Sequence, residues 1–275
     1  MTTILFDKMH GAGNDYVYIN ACEEQVQDPE SLAIKISDRH FGVGSDGLVL
    51  IMKSYVADFR MRMFNADGSE AGMCGNASRC VGKYLYEKGL TEKTEITLET
   101  KSGIKILRLD VAGNLVSKVS VDMDMPKLEA GDIPLKSSTT LNVDINGREY
   151  TCVNMGNPHA VTFIKDSVKD FDVHGVGREI ENHPLFPERT NVEFARVLSP
   201  ERIEMRVWER GSGETLACGT GACATLVAAV RLGLTSRKAT IELLGGEVEV
   251  SWSEETNRVT LTGGADFVFN GNYIL

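Results

Sequence analysis

The sequence repeats itself at an offset of 144 residues, and this repeat constrains the fold more than any other feature. Cys74 and Cys218 stand 144 residues apart (218 − 74) in similar surroundings, MCGNASRC and ACGTGACA. The same offset relates Met61 to Met205, Arg62 to Arg206, Glu70 to Glu214, Gly75 to Gly219, Phe64 to the aromatic Trp208, and the GLT segment at 89–91 to that at 233–235. Such self-similarity indicates one structural unit built twice.

Hydrophobic periodicity predicts the elements of each half. The segments 58–64 and 202–208 alternate polar and apolar residues, which is typical of a half-buried strand. A helix is predicted after each cysteine, over 75–88 and 219–232, with Gly89 and Gly233 as left-handed caps. Another helix begins after DPE (28–30) and ends near Asp38, and Pro126 and Pro134 mark a loop. Further strands are predicted at 95–100, 103–111, 116–123, 149–154, 159–164, 239–243, 247–252 and 257–262.

These elements predict an α+β fold with two pseudo-symmetric halves. Each half is expected to be a mostly antiparallel sheet wrapped around one central helix. The length of 275 residues and a hydrophobic content of 42% are sufficient for a substantial core.

Charge and cysteine content narrow the class of protein. The formal net charge of −10 argues against nucleic acid or an anionic membrane surface as partner. No apolar run reaches the ~18 residues of a membrane span, and the start MTTILFDKMH lacks the apolar core of a signal peptide. A cytoplasmic location is therefore expected, and the six cysteines are read as thiols, metal ligands or catalysts rather than as a disulfide framework.

Cys74 and Cys218 are the strongest candidates for chemistry. A thiol at a helix N-terminus faces unpaired backbone N–H groups and the positive end of the helix dipole, so we expect a lowered pKa for both. The same N–H groups can hold a carboxylate. Two such thiols suit the inversion of an amino acid α-carbon, in which one thiolate removes a proton and the other thiol supplies one to the opposite face.

Other interpretations are weaker. Cys22, Cys80, Cys152 and Cys223 are interpreted as small buried hydrophobes. The C-x5-C and C-x4-C spacings, with no histidine pair nearby, do not favour zinc. GAGND (11–15) resembles half of a nucleotide-binding glycine loop but lacks the complete pattern.

Five segments in order along the chain resemble the diaminopimelate epimerase family: KMHGAGNDY (8–16), MFNADGSEAGMCGN (63–76), MGNPHAV (155–161), FPERTNVEF (186–194) and VWERGSGETLACGTGACA (207–224). The resemblance implies an isomerase, independent of pyridoxal phosphate or any other cofactor and of metal, that interconverts LL- and meso-2,6-diaminopimelate for lysine and peptidoglycan precursor synthesis. It also implies a homodimer, an active site in the cleft between the halves, and a last strand that returns to the first half. The expected domains are therefore 1–119 plus 264–275, and 120–263.

The resemblance assigns roles to particular residues. Cys74 and Cys218 match the two catalytic bases. The helix N-termini that hold the reacting carboxylate match Gly75, Asn76, Gly219 and Thr220. The polar residues around the rest of the substrate match Asn14, Asn65, Asn157, Asn191, Glu209 and Arg210, and His159 and Glu209 match residues that adjust the protonation of the cysteines. Arg210 suits a distal carboxylate because its planar fork binds it bidentately. Glu70 and Glu214 are interpreted as capping groups outside the site.

The chain departs from the family pattern at two places. Ala77 and Ser78 follow Asn76, where many members have glycine next; at a helix start, no positive φ is required and little harm is expected. Gly47, in GVGSDGL, replaces a glutamine that contacts substrate in some members, and 144 residues later stands Asn191. Only the second half, through Asn191, is thus expected to supply a side chain to the substrate at this position, and water is expected to fill the space beside Gly47 in the first half.

Three alternatives stay open from the sequence. A proline or hydroxyproline racemase would use two cysteines in the same broad fold, but Arg210 and the asparagines favour a longer dicarboxylate. A thiol redox protein would pair Cys74 with Cys218. A non-catalytic amino acid binder would use both thiols only to line a pocket.

Overall fold

The structure is a computed structural model that describes residues 3–23 and 25–275. The first part of the chain forms β1 (Thr3–Gly11), β2 (Asn14–Asn20), α1 (Pro29–Ser37), β3 (Gly47–Lys53), β4 (Phe59–Asn65), β5 (Glu70–Ala71), α2 (Gly75–Glu87), β6 (Glu95–Thr100), β7 (Gly103–Ala112) and β8 (Leu115–Asp122). The second part forms β9 (Val143–Ile145), β10 (Arg148–Asn154), β11 (Pro158–Phe163), α3 (Val173–Glu181), β12 (Asn191–Ser199), β13 (Arg202–Glu209), β14 (Gly213–Thr215), α4 (Gly219–Arg231), β15 (Lys238–Leu243), β16 (Gly246–Trp252) and β17 (Val259–Gly263). The last strand is β18 (Asp266–Ile274), and short 3-10 turns cover Ala130–Asp132 and Val168–Asp170.

The chain divides into two compact units. Unit 1 extends from the N-terminal strand to Val121 and also contains Gly263–Leu275, whereas unit 2 is Asp122–Thr262. The last strand belongs to unit 1 because β18 pairs antiparallel along the length of β1, from Thr3 opposite Ile274 to His10 opposite Asp266.

In unit 1 the strand order is β18-β1-β2-β3-β4-β6-β7-β8, with β5 also beside β4. The pairs β2/β3 and β4/β6 are parallel and the others antiparallel. A parallel pair needs a crossover, and α1 and α2 provide it. Helix α2 packs against β1 and β2 near one end of the order and against β7 near the other, so the sheet curls around it.

Unit 2 repeats this plan with the strand order β9-β10-β11-β12-β13-β15-β16-β17 and β14 beside β13. Its parallel pairs are β11/β12, joined by α3, and β13/β15, joined by α4. Helix α4 packs against β10, β11 and β12 on one side and β15 and β16 on the other, and almost all of its side chains are buried.

The predicted fold class, α+β with two halves built alike, is confirmed. The predicted helices after the cysteines and the helix after 28–30 are present, and Gly89 (φ 71°) and Gly233 (φ 70°) are left-handed. Every predicted strand is present, with shifts of one or two residues at the ends.

The sequence patterns did not predict helix α3 or strands β1, β2, β3, β5, β9, β12 and β14. In β3 the run GLVLI is buried on both faces, so no polar–apolar alternation marks it as a strand. Helix α3 lies 144 residues after α1 at both ends, so the repeat itself contained the missing signal.

Each unit also has an apolar layer between its crossover helix and its sheet. In unit 1, Leu32 and Ile36 of α1 pack with Leu48 and Phe64. In unit 2, Val173 and Ile180 of α3 belong to one cluster with Phe194. The sheet face toward α2 or α4 is therefore a separate layer, and the cysteine turns lie at the start of the helix in that layer.

Candidate active site

Cys74 is the N-cap residue of α2, with extended backbone angles (φ −134°, ψ 124°), and it is partly exposed. Its Sγ donates to Asn14 Oδ1 at 3.4 Å, and Asn76 Nδ2 donates to the same oxygen at 3.3 Å. Asn14, Cys74 and Asn76 therefore form one polar cluster, with Gly75 at the first helical position.

Asn14 is placed by a tight hairpin. Residues Ala12 (φ 53°) and Gly13 (φ 79°) are both left-handed between β1 and β2, which matches the two-residue turns that join antiparallel strands. The weak resemblance of GAGND to a nucleotide loop is thus explained by a hairpin. Asn14 Nδ2 donates to Asp46 Oδ2 at 2.8 Å, so its Oδ1 faces Cys74.

Charged residues that sequence reasoning missed surround Asp46. Arg39 bridges Asp46 and Asp15 at 3.0 and 3.1 Å, and Lys8 contacts Asp15 at 2.6 Å. Burial raises the pKa of Asp15, but hydrogen bonds from Lys8 and Arg39 outweigh it and leave that pKa lowered. Burial and the neighbouring Asp15 charge raise the pKa of Asp46. Asp15, which directly follows Asn14 in the sequence, could have indicated this charged cluster.

Asn65 makes a hydrogen bond within a turn, and Gly47 is closely packed against backbone and an aromatic ring. Asn65 Nδ2 donates to Ser69 Oγ at 3.0 Å within the turn between β4 and β5. A Cβ on Gly47 would lie 2.0 Å from the carbonyl oxygen of Phe64 and 2.8 Å from the ring of Tyr16. The expected water-filled space at Gly47 is therefore wrong, because backbone and ring already occupy it.

Cys218 is the N-cap residue of α4 (φ −120°, ψ 110°) and is only 5% exposed. Its Sγ lies 3.5 Å from Thr220 Oγ1, and it hydrogen-bonds the side chain of Glu209. Thr215 Oγ1 donates to Glu209 Oε1 at 2.5 Å and fixes that carboxylate. The structure thus brings Cys218, Gly219, Thr220 and Glu209 together.

The expected lowering of the pKa is wrong for Cys218. Burial, followed by the charges of Glu209 and Glu193, raises the pKa of this thiol well above its ordinary value, although Thr220 and the Gly221 N–H act in the opposite direction. Burial likewise raises the pKa of Glu209. Desolvation disfavours the charged form more than one helix terminus favours it.

His159 lies in a buried chain of hydrogen bonds. Its Nδ1 is 2.6 Å from Glu193 Oε1, and its Nε2 is 2.9 Å from Asn157 Oδ1. His159 and Glu193 are fully buried, whereas Asn157 is partly exposed. Sequence reasoning had not singled out Glu193; the signal was a glutamate between the apolar residues Val192 and Phe194 in the strand start NVEFA.

Asn191 joins two segments of unit 2. Its Nδ2 donates to the Pro158 carbonyl at 2.8 Å, and its Oδ1 accepts from the Arg210 backbone N–H at 2.9 Å. Arg210 Nη1 donates to the Glu188 carbonyl at 3.0 Å. Asn191 therefore sets the position of Arg210.

The remaining cysteines fit the interpretation as buried hydrophobes with one exception. Cys80, Cys152 and Cys223 are fully buried, and burial raises the pKa of Cys80 and of Cys152 to about 12. Cys22 is only partly buried.

The interpretation of Glu70 and Glu214 as capping groups is wrong. Glu70 pairs with Arg62 at 2.7 Å and Glu214 with Arg206 at 2.6 Å, in equivalent positions of the two units. Each pair joins neighbouring strands ahead of a cysteine turn.

Residues 3–23 and 25–275 contain no group of three or more His, Cys, Asp or Glu side chains arranged to hold a metal ion. None of the helices described there is long and apolar enough to cross a membrane.

Residues 6–129 and 151–268 match the sequence profile of the family described as "Diaminopimelate epimerase". Proteins of that name are 55% identical over 272 residues in Acetivibrio thermocellus (97% of each chain) and 55% identical over 275 residues in Phocaeicola vulgatus (98% of each). Another from Methanococcus maripaludis strain C6 is 51% identical over 272 residues, 97% of this chain and 98% of that one. The chain belongs to the diaminopimelate epimerase family.

Solved structures agree on the fold. A phenazine biosynthesis protein of the PhzF family from Bacillus anthracis matches with a TM-score of 0.73 and 17% identity, covering 100% of both chains. A hydroxyproline epimerase from Agrobacterium vitis, with bound trans-4-OH-L-proline, matches with a TM-score of 0.70 and 15% identity, covering 99% of this chain and 91% of that one. At such identities the likeness concerns the fold alone.

Proposed function

We propose that this member of the diaminopimelate epimerase family interconverts LL- and meso-2,6-diaminopimelate without a cofactor, in lysine and cell-wall precursor synthesis. The observation that supports this reaction is that Cys74 and Cys218 are equivalent N-cap residues of helices α2 and α4 in a chain of this family. Unit 1, with Cys74, and unit 2, with Cys218, are then the two catalytic halves.

The reaction moves one proton. A thiolate on one cysteine takes the α-hydrogen as a proton, leaving the electron pair on the α-carbon, and the thiol of the other cysteine gives its proton to the opposite face. The products are the inverted amino acid and an enzyme whose thiol and thiolate have exchanged places. The raised pKa of Cys218 favours its thiol form, which suits it to the role of proton donor, and we propose Cys74 as the base.

Carbanion stabilisation requires preorganised donors. The backbone N–H groups at the start of α2 and α4, next to Gly75, Asn76, Gly219 and Thr220, suit the reacting carboxylate. Arg210, whose backbone Asn191 fixes, suits the distal carboxylate. Asn14, Asn65 and Asn157 offer amide groups for the rest of the substrate, and His159 and Glu209 adjust the protonation of Cys218.

The test is to incubate the reduced protein with LL-diaminopimelate in deuterated water, without added cofactor, and to follow the α-carbon signal. We expect meso product with deuterium at the α-position. Proline and hydroxyproline in parallel reactions test the racemase alternative. Turnover of those substrates alone, or no exchange while the thiols titrate as reduced, contradicts the proposal.

We extend the proposal to a cytoplasmic homodimer. Strands β1 and β18 pair at one side of unit 1 and expose large apolar side chains: Leu5, Val268, Phe269 and Ile274 are 48% to 60% exposed. Such a surface is typical of an interface between copies. The cytoplasm also keeps thiols reduced, as the mechanism requires. Light scattering of Val268→Lys with Ile274→Glu, expected to give monomer, tests the dimer, and cell fractionation tests the location.

A further inference from the structure

Glu181, the last residue of helix α3, is a buried glutamate that accepts hydrogen bonds at both oxygens of its side chain. Its Oε1 accepts from the Gly211 backbone N–H at 2.9 Å and from Arg189 Nη1 at 3.2 Å. Its Oε2 accepts from the indole Nε1–H of Trp208 at 2.7 Å. A backbone N–H, a guanidinium and an indole can only donate, so this position requires a side chain that accepts on both sides. Glu181 thereby joins the segment 186–190, ahead of β12, to the turn that follows β13.

Arg210 lies in that turn, and Glu181 holds the residues on which its position depends. The N–H of Gly211 belongs to the peptide bond that follows Arg210, so its hydrogen bond to Glu181 fixes the backbone on that side. The Arg210 guanidinium donates from Nη1 to the Glu188 carbonyl at 3.0 Å, and Glu188 directly precedes Arg189. Glu181 therefore influences the backbone of Arg210 through Gly211 and the guanidinium through Arg189.

The segment that carries the Glu188 carbonyl is a tight turn. Arg189 has a left-handed backbone (φ 59°), which is uncommon for a residue with a side chain. Its backbone N–H donates to the Phe186 carbonyl at 2.9 Å and closes the turn. The salt bridge from Arg189 to Glu181 at 3.2 Å stabilises this conformation, from which the Glu188 carbonyl reaches Arg210.

Unit 1 contains the same contact without the charges. Ser37 and Ser45 stand 144 residues before the two members of this salt bridge, and Ser45 Oγ donates to Ser37 Oγ at 3.1 Å. Ala66 of unit 1 stands where unit 2 has Arg210. A buried glutamate with an arginine partner therefore replaces the serine pair in the unit that has an arginine at this turn.

We propose that Glu181 is a positioning residue that fixes Arg210 for the distal carboxylate of the substrate. This inference rests on the proposed function, in which Arg210 binds that carboxylate. An arginine carries several N–H donors, so one contact with the Glu188 carbonyl orients its guanidinium and still leaves donors for a carboxylate. The distal carboxylate lies at the far end of the substrate from the reacting carbon, so its contact contributes equally to the ground state and the transition state. Glu181 therefore acts on KM rather than on kcat.

Glu181→Gln is the first test. It turns one oxygen into an NH₂ group, which then faces either the Trp208 indole N–H or the two donors at Oε1, so no orientation satisfies all three partners. KM for LL-diaminopimelate should rise about 10-fold, whereas kcat should change by less than about 3-fold. An unaltered KM in a folded Glu181→Gln overturns the proposal.

A double-mutant cycle with Arg210→Gln separates positioning from a general structural role. Arg210→Gln should raise KM about 100-fold, because a charge-assisted hydrogen bond to the carboxylate is lost. Adding Glu181→Gln to Arg210→Gln should then raise KM no further, because Glu181 acts through Arg210. Increases that multiply in the double variant would show an independent effect of Glu181 and overturn the proposal.

Two further variants support the cycle. Trp208→Phe, which introduces the aromatic residue found at Phe64 of unit 1, removes the indole donor, so the rise in KM caused by Glu181→Gln should be smaller in this background. An undiminished rise there overturns the proposal. If Glu181→Gln does not fold, Arg189→Gln decides, because its side chain is 53% exposed and Glu181 stays in place. KM should rise about 3-fold in Arg189→Gln and not at all when Arg210→Gln is already present, and any other result overturns the proposal.

Glu204→Gln is the matched control. Glu204 is another buried glutamate of unit 2 that accepts from a backbone N–H, that of Val168, and contacts an arginine, Arg196, at 3.4 Å. This variant should leave kcat and KM unchanged, and an equal rise of KM in Glu204→Gln overturns the proposal.

Calorimetric Kd values for meso-diaminopimelate, measured on the same variants, make the test independent of turnover. A protein without turnover whose Kd values follow the cycle refutes the proposed function alone. Turnover with a KM that Glu181→Gln does not change refutes the role of Glu181 alone. Absence of both binding and turnover refutes both.

Discussion

Cys74 and Cys218 occupy equivalent positions in the two units, yet the side chains around them differ in charge. Cys74 is partly exposed and contacts the amide of Asn14, whereas Cys218 is buried and contacts the carboxylate of Glu209. At the position equivalent to Glu209, 144 residues earlier, unit 1 has the neutral Asn65. The two units share one backbone arrangement, but the thiol contacts an amide in unit 1 and a carboxylate in unit 2.

This difference teaches that the helix terminus does not decide the protonation of its N-cap cysteine. Both thiols have the same helix geometry, but burial and two carboxylates raise the pKa of Cys218. A one-proton transfer needs one group that gives a proton while the other takes it, and the raised pKa favours the proton-carrying form at Cys218. The asymmetry is therefore useful although the scaffold is repeated.

The largest expected effect comes from removing either thiol. Cys74→Ser and Cys218→Ser should each lower kcat roughly 10³-fold or more, because a hydroxyl is a far weaker base. If the two thiols act on opposite faces, each variant should retain slow α-deuterium exchange from only one of the two stereoisomers, and the isomer should differ between them. Exchange of both isomers by one variant would show that the two thiols do not each act on one face of the α-carbon. Cys152→Ser is the control for a buried thiol.

The next effect concerns stability. Val49→Glu places a carboxylate in unit 1 where unit 2 carries Glu193, but Tyr16 stands at the register position of His159. The charge is then buried without an imidazole, and we expect a loss of about 3–5 kcal/mol in the free energy of unfolding. Chemical denaturation measures it, with Val49→Met as the volume-matched control. A stable Val49→Glu would mean that unit 1 pairs the charge by another route.

Under the proposed function, in which Glu209 adjusts the protonation of Cys218, Glu209→Gln should lower kcat about 10²-fold because the carboxylate becomes an amide that cannot take up a proton. It should also lower the pKa of Cys218, since a nearby negative charge raises it, although burial still keeps it above the ordinary value. The iodoacetamide reaction of Cys218 should therefore rise at lower pH than in the unaltered protein, as peptide mass spectrometry can follow. Asn65→Asp is the converse change in unit 1. An unshifted Cys218 profile would show that burial alone sets its pKa.

The smallest expected effect separates two equivalent arginines. Arg206 pairs with Glu214 and also donates to the carbonyls of Val168, Lys169 and Phe171 at 2.8 to 3.0 Å, whereas Arg62 pairs with Glu70. Arg206→Met should cost about 1–3 kcal/mol because those carbonyls lose their donor. Arg62→Met should cost about 1 kcal/mol or less. Equal losses in thermal unfolding would show that the carbonyl bonds contribute nothing.

Sequence and structure agree where a signal is local or repeated. The helix starts, the glycine caps and the N-cap position of both cysteines depend on residues within a few positions of one another. The buried strand β3 was missed because burial on both faces removes the alternation that marks a strand. The water-filled space at Gly47 was wrong because no local pattern reveals that the Phe64 carbonyl lies there.

What the sequence determined by itself is the repeat, and with it two halves, two helix N-termini and a thiol at each. What only the tertiary structure decided is the environment of those thiols. Glu193 and His159 are 34 residues apart and meet because β11 and β12 lie parallel, joined by α3. Asp46 reaches Asn14 across 32 residues in the same way, through β2, α1 and β3. Protonation depends on burial and on charges that arrive from distant segments, and only the folded chain sets both.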